Sequence, residues 1–338
     1  MVRFQAMASA LVLGATGHIG AHVVRALLAR GHAVRAAYRS EKYLPVLDGL
    51  PVERAKVDLD HPEELREALR GCSWVFHAAG YYPSNRPSRA EAIRTGIESS
   101  RRDLEEIRRA GPERVVFTSS AATIRAGAGK MATEADSEPW PLTHWRHPYA
   151  AAKIAMEQEV LRAAGAGLPV VIVNPSLCIG EYDARAFSGR SVLAFAKYRL
   201  GWYTETSFNV VYTGDVGVGH VRAAEAGRVG ERYLLAGQNV SLKEFGALAC
   251  RELGLSPPRW KIPTVGAYLA ACGVELFAAV TGREPLFTRE EARRIRGGYL
   301  LDGSKAVREL GMPQTPPAEA VRRAVQWFRQ QGHLKENP

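Results

Sequence analysis

Tyr149 and Lys153 stand four residues apart in the stretch Tyr149-Ala150-Ala151-Ala152-Lys153. On a helix, residues at i and i+4 share one face, so a phenol and an ammonium would lie side by side. A tyrosine is a poor acid or base near neutrality, with a reference pKa of ~10. A neighbouring cation favours the phenolate and lowers that value. The pair is therefore equipped to move a proton to or from a substrate oxygen while a hydride moves at carbon. Upstream, the apolar run Val115-Val116-Phe117 ends in Thr118-Ser119-Ser120. Ser120 is the candidate donor to the same substrate oxygen, with Ser119 second. Taken singly, Tyr-x-x-x-Lys describes many surface helices, and such hydroxyls often only cap loop backbone.

A third motif changes their weight. In Ala10-Leu11-Val12-Leu13-Gly14-Ala15-Thr16-Gly17-His18-Ile19-Gly20, an apolar run enters three glycines spaced three apart, and an amphipathic segment follows. That reads as a buried strand, a tight turn and a helix start. Free N–H groups and the positive end of the helix would then face an anion such as a pyrophosphate. Gly14, Thr16, Gly17, His18, Ile19 and Gly20 are the candidate residues. The bland alternative is an ordinary turn, but the strand and helix that the motif requires are present on both sides.

The elements that must position these groups alternate. Strands are expected at His32–Tyr38, Val52–Val57, Trp74–Ala78, Val115–Phe117 and Pro169–Val173. Helices fall between them at His61–Arg70, capped by Asp60, at Ser88–Ala110, closed by Gly111-Pro112, and at Tyr149–Ala164. This alternation argues for an α/β fold, a Rossmann-type doubly wound parallel sheet over residues 8–178. From Ile179 the rhythm changes. Helices at Phe187–Tyr198, Asp215–Ala226, Ser241–Leu253 and Pro317–Gln331 outnumber the short strands at Phe208–Tyr212 and Tyr233–Ala236. Residues 179–335 read as a smaller, mainly helical substrate lobe, with some segments returning to the first sheet. Ser241 and Glu244 form a capping-box signature.

Composition narrows the functional classes. The chain has 338 residues, 46% of them hydrophobic, and a net charge of +10, which is inconsistent with global disorder. A basic balance suits an anionic ligand. Without a basic-aromatic stripe or zinc-finger spacing, nucleic acid is not the expected partner. Cys72, Cys178, Cys250 and Cys272 are scattered, as in a reducing compartment. Met1–Ser9 lacks a signal-peptide core. The apolar run Val265–Val280 is interrupted by Glu275 and is shorter than the ~20 residues of a membrane span. A cytoplasmic enzyme acting on a small molecule is the expectation. His18 and His22, and His144 and His147, lack the cysteine or carboxylate partners that would complete a metal site.

Together with Asp58-Leu59, His77-Ala78-Ala79-Gly80 and Asn174-Pro175-Ser176, these motifs resemble the extended short-chain dehydrogenase/reductase family, of the NAD-dependent epimerase/dehydratase type. Residues 167–176, 230–235 and 281–285 look most like bacterial dihydroflavonol-4-reductase-like proteins and hopanoid-associated sugar epimerases. The resemblance implies that Asp58 and Leu59 lie against the adenine, and that Ala78, Ala79, Gly80 and Ser119 line the cofactor. It also implies that Lys153 holds the nicotinamide ribose and that Pro175 and Ser176 adjoin the carboxamide. A homodimer through Ser88–Ala110 and Tyr149–Ala164 is a family expectation. One departure stands out: the family's usual helix asparagine falls near Gly96, so a proton relay is built differently here or turnover is modest. Tyr81, Tyr82 and Pro83, Asn174, Phe208 and the stretch Glu134–Pro148 are candidates for the substrate side.

NAD-specific relatives end the second strand with an acid. Here the strand ends Ala36-Ala37-Tyr38-Arg39-Ser40. Arg39 can pair bidentately with a 2′-phosphate, and Arg35 and Lys42 would add charge, so NADP is favoured over NAD. Three functions follow. The first is a reductase or dehydrogenase of a carbonyl/alcohol pair. The second is a nucleoside-diphosphate-sugar epimerase or dehydratase with recycled NAD. The third is a non-catalytic NADP-binding redox sensor.

Overall fold

Side chains along β1 (Ser9–Leu13) alternate between two cores: Ala10 and Val12 enter one, Leu11 and Leu13 the other, and all four are buried. A strand apolar on both faces needs helices over both, and the computed structural model supplies them. It describes residues 9–82, 87–125, 130–137, 148–281 and 298–334.

From β1 the chain passes through α1 (His18–Ala29), β2 (Ala33–Tyr38), β3 (Glu53–Lys56), α2 (Pro62–Leu69), β4 (Trp74–His77), α3 (Arg89–Ala110), β5 (Arg114–Thr118), α4 (Pro148–Gly165) and β6 (Val170–Pro175). It continues through β7 (Leu177–Ile179), α5 (Arg190–Tyr198), β8 (Trp202–Tyr203), β9 (Ser207–Tyr212), α6 (Thr213–Ala226), β10 (Arg232–Leu235), β11 (Gln238–Ser241), α7 (Leu242–Leu253), β12 (Trp260–Lys261) and α8 (Thr264–Thr281). The last described helices are α9 (Ser304–Leu310) and α10 (Pro317–Gln330).

The main sheet has seven strands in the order β10-β6-β5-β4-β1-β2-β3, every pair parallel. One face is covered by α1, α6 and α9, through Val23, Leu27, Val216, Val221, Ala306 and Leu310. The other is covered by α2, α3 and α4, through Leu65, Leu104, Ile107, Met156 and Val160. Strand order reverses beside β1, whose neighbours are β2 and β4. In such sheets that reversal opens a crevice at the carboxyl ends of the strands. β10 belongs to this sheet although it follows residue 179.

The later segments build a third core. β11, β9 and β7 form a three-stranded sheet, packed with α5, α7 and α10 through Phe195, Phe245, Val325 and Phe328. The Ser241–Glu244 capping box is present at α7. The cap expected from Asp60 is not. His61 occupies that position without a side-chain bond, because the chain turns earlier: Asp58 Oδ1 accepts the Asp60 N–H at 3.2 Å, an Asx turn. Pairs as short as β8 with β12 carry too few residues for a periodic signal. Among the described residues no helix is long and apolar enough to cross a membrane. Pro83, His144, His147, residues 138–147 of the Glu134–Pro148 stretch, and residues 282–285 lie outside the described residues.

The sharpest constraint is at Gly20, where a β-carbon would lie 2.8 Å from the Gly14 carbonyl carbon. Gly20→Ala is expected to cost about 1–3 kcal/mol or more from overpacking, measured by urea unfolding. Gly165→Ala meets open space at the end of α4 and should stay within about 1 kcal/mol of the parent.

Candidate active site

Gly14 has φ +79°, the left-handed region that favours glycine. Its carbonyl accepts the Gly17 N–H at 2.9 Å. Gly17 is the N-cap of α1 with extended backbone and no side-chain cap, and the first turn carries no acid. The orphan N–H groups that begin every helix are thus met by no side-chain cap at the crevice. A β-carbon on Gly14 would lie 3.0 Å from Ala78 O and 3.1 Å from Ala79 Cα, so the segment after β4 closes against the turn. Gly80 follows, and a β-carbon there would lie 3.1 Å from Lys153 Nζ. The glycine turn, the Ala78–Gly80 segment and Lys153 therefore meet in one place.

Thr16 is buried and Ile19 packs on the first core. His18 Nε2 shares a 2.9 Å hydrogen bond with Thr213 Oγ1, and its Nδ1 is 3.9 Å from Asp183. Burial lowers its pKa, against the opposing pull of Asp183 and Glu181. His22, bonded to Glu181 O at 3.1 Å, lies well below the ordinary value, again chiefly by burial. The loop after β7 thus crosses α1. It places Arg25 3.7 Å from the Tyr182 ring centroid and Arg185 4.7 Å from that of Tyr43. No group of His, Cys, Asp and Glu among the described residues could hold a metal ion.

Arg39, just past β2, is exposed and forms no hydrogen bond or ion pair among the described residues. Arg35 does not share that role. Its guanidinium is taken by Glu53 and by the carbonyl oxygens of Ala68 and Arg70, at 2.7–2.8 Å, because an inward-turned strand residue must find acceptors on α2. Lys42 is exposed, 5.6 Å from the Tyr43 ring centroid. Asp58 donates its N–H to Glu64 at 2.7 Å, and Leu59 packs on the second core.

On α4, Tyr149, Lys153 and Glu157 follow at i, i+4 and i+8. Lys153 is 7% exposed. Burial lowers its ammonium pKa to about 8, against the charge of Glu157, which acts upward. Tyr149 is half-buried; its ring centroid lies 4.9 Å from that of Tyr82, which meets Phe187 edge-on at 4.3 Å. Ser120 Oγ accepts the Ala122 N–H at 3.1 Å. Ser119 Oγ donates to Glu157.

Other candidates are engaged within the fold. Asn174 is fully buried, its amide donating to Ser120 O, Thr123 Oγ1 and Glu157 at 2.8–3.2 Å, behind Ser120 rather than toward open space. Phe208 packs on Phe245 in the third core. Tyr81 turns to the second core and bonds Thr95 of α3. Pro175 pairs with Leu235, and Ser176 donates to Asn209 at 2.7 Å. Glu157, Thr123, Arg232 and Phe187 were not singled out from sequence. The signal for Glu157 is an acid one turn past Lys153 on an otherwise apolar face.

The sequence pattern of the NAD dependent epimerase/dehydratase family matches residues 10–236. A putative dihydroflavonol 4-reductase from Synechocystis sp. is 34% identical, covering 96% of this chain and 95% of that protein. Sterol demethylase protein B from Methylococcus capsulatus is 35% identical, covering 96% and 99%. The crystal structure of gox2253 superimposes with a TM-score of 0.81 at 33% identity, over 97% of this chain and 99% of that one.

Gly96 sits where α3 crosses α4; a β-carbon there would be 3.2 Å from Met156 Cγ and 3.4 Å from Ala152 O. Gly96→Asn, which inserts the residue usual in the resembling family, is expected to destabilise by about 1–3 kcal/mol without raising turnover. Thermal unfolding beside activity checks this, and a more active, equally stable variant would contradict it.

Proposed function

The chain belongs to the NAD dependent epimerase/dehydratase family, among the extended short-chain dehydrogenases/reductases, and on that premise we propose that it is an NADP-dependent reductase or dehydrogenase of a carbonyl/alcohol pair on a small organic substrate. Family membership makes it an NAD(P)-dependent oxidoreductase. The observation that supports the finer reading is the meeting of Lys153 Nζ with Gly80 beside the Gly14 turn.

The residues fit a dinucleotide. The Gly14–Gly20 turn, with Thr16, Gly17, His18 and Ile19, would hold the pyrophosphate on helix N–H groups. Asp58 and Leu59 would adjoin the adenine, and Ala78, Ala79, Gly80 and Ser119 would line the groove. Pro175 and Ser176 would sit near the carboxamide. When bound, the nicotinamide supplies or accepts the hydride. Tyr149 gives the substrate oxygen its proton, or takes it in the reverse direction, and Ser120 orients that oxygen. Lys153 favours the phenolate through its charge and holds the ribose. Tyr82 beside Tyr149, with Phe187 packed edge-on against Tyr82, makes an aromatic surface suited to an apolar or ring-bearing substrate.

Arg39 supports NADP over NAD: it is an exposed guanidinium at the end of β2, free of ion pairs among the described residues. A second reading, a sugar epimerase or dehydratase with recycled NAD, is favoured by the family pattern itself. Release of free oxidised cofactor during turnover separates the two.

Tyr149→Phe is expected to lower kcat by about 10²-fold or more while NADPH binding, measured by calorimetry, is kept; undiminished turnover would overturn the assignment. Arg39→Ala is expected to weaken NADPH by about 10–100-fold, the worth of a charge-assisted hydrogen bond, and to leave NADH unchanged. Equal losses for both cofactors would remove the 2′-phosphate role.

A further inference from the structure

Glu157 lies one turn beyond Lys153 on α4 and is 3% exposed. A carboxylate so placed is costly unless hydrogen bonds and an opposite charge offset its desolvation. Ser119 Oγ, Thr123 Oγ1 at 3.0 Å, Asn174 Nδ2 at 2.8 Å and Arg232 Nε at 2.6 Å all donate to it. These donors come from the segment just after β5, the turn that follows it, β6 and β10. Asn174 also donates to Ser120 O, so the backbone of the candidate substrate donor is tied to the same acid.

Stability alone does not call for an acid here, since well-packed apolar groups often replace buried ion pairs without loss. What the carboxylate adds is geometry and charge. It fixes the hydroxyl-bearing turn against the helix that carries Tyr149 and Lys153. On the other side of α4, Gly96 of α3 presents no polar group and packs on Met156 and Ala152. Support for the site therefore comes from the sheet side of α4.

We propose that Glu157 is a positioning residue of this site, holding the Ser119–Thr123 turn at a fixed separation from the Tyr149–Lys153 face and supplying the negative charge that faces Lys153. The proposal rests on Tyr149 and Lys153 being the proton-transfer pair. From its own helix Lys153 is faced by Tyr149 and Glu157. The sheet brings one cation, Arg232, to the carboxylate, and otherwise only the neutral Ser119, Thr123 and Asn174. Burial depresses Lys153 and Glu157 opposes that effect, so removing the acid should move the ammonium further down.

The test follows Lys153 by NMR in full-length protein labelled with ¹³C-lysine, its signal assigned with Lys153→Met. In the parent, Lys153 should titrate near 8. Glu157→Gln should move the midpoint down by about one pH unit, the usual effect of losing a close opposite charge. Arg232→Gln, where the side chain is 23% exposed at the sheet edge, keeps the acid but removes its cation, and should move the midpoint up. With NADPH and a panel of ketones and aldehydes, Glu157→Gln should lower kcat by about tenfold or more and leave KM for NADPH unchanged. Glu157→Asp should restore part of kcat. An unmoved Lys153 midpoint in both variants, or an undiminished kcat in a folded Glu157→Gln, would overturn the proposal. If Glu157→Gln fails to fold, Arg232→Gln decides by its opposite sign. A parent that turns over nothing in the panel would count against the Tyr149 reading, while the lysine titration still decides the role of Glu157.

Discussion

The Gly14 carbonyl occupies the space that a side chain at residue 20 would fill. That close approach lets β1 turn directly into α1, and it aims the first turn of α1 at the crevice where the strand order reverses. The consequences spread outward. With Gly14 in the left-handed region, Ala78 and Ala79 close against the turn and Gly80 comes to Lys153. One local packing constraint thus joins the N-terminal end of α1 to a buried ammonium that arrives from the other side of the sheet.

Around that constraint the molecule keeps two kinds of interior. The sheet is apolar on both faces, with alternating strand residues feeding separate cores, and this gives a rigid platform. Beside it, at the ends of β5 and β6, lies a buried polar cluster of Ser119, Thr123, Asn174 and Glu157, closed by the half-buried Arg232. In a low dielectric such a cluster holds its shape only while every member keeps its partners. The loop after β7 adds a third contact, across α1, through Glu181, Asp183 and Tyr182. Both the Tyr149–Lys153 helix and the Gly14–Gly20 turn are therefore held from two sides.

Much of this was legible in the sequence. The glycine spacing, the Tyr149–Lys153 interval and the alternation of strands and helices each report a local rule, and local rules survive folding. The Ser241–Glu244 cap is another such case. What escaped depends on long-range packing. Asn174 sits in a strand whose inward face is set by the neighbours that cover it, and its amide is spent on Ser120 O, Thr123 and Glu157. Arg35 looked like spare charge until α2 supplied carbonyl acceptors for it. Glu157 carries no local motif, because its donors are brought to it by the turn after β5 and by two more strands. Gly96 was read as a missing relay residue; in the fold it is a helix crossing with little room for a larger group.

The central claim is that the Gly14–Gly20 turn presents a freely exchanging NADP to the Tyr149–Lys153 face. The most direct measurement follows cofactor during turnover by purified protein, with NADPH and product quantified together. The expected result is one NADPH consumed for each product formed, with oxidised cofactor released to solution. Product formed with no net change in free cofactor, by protein that carries tightly held NAD, would contradict the account.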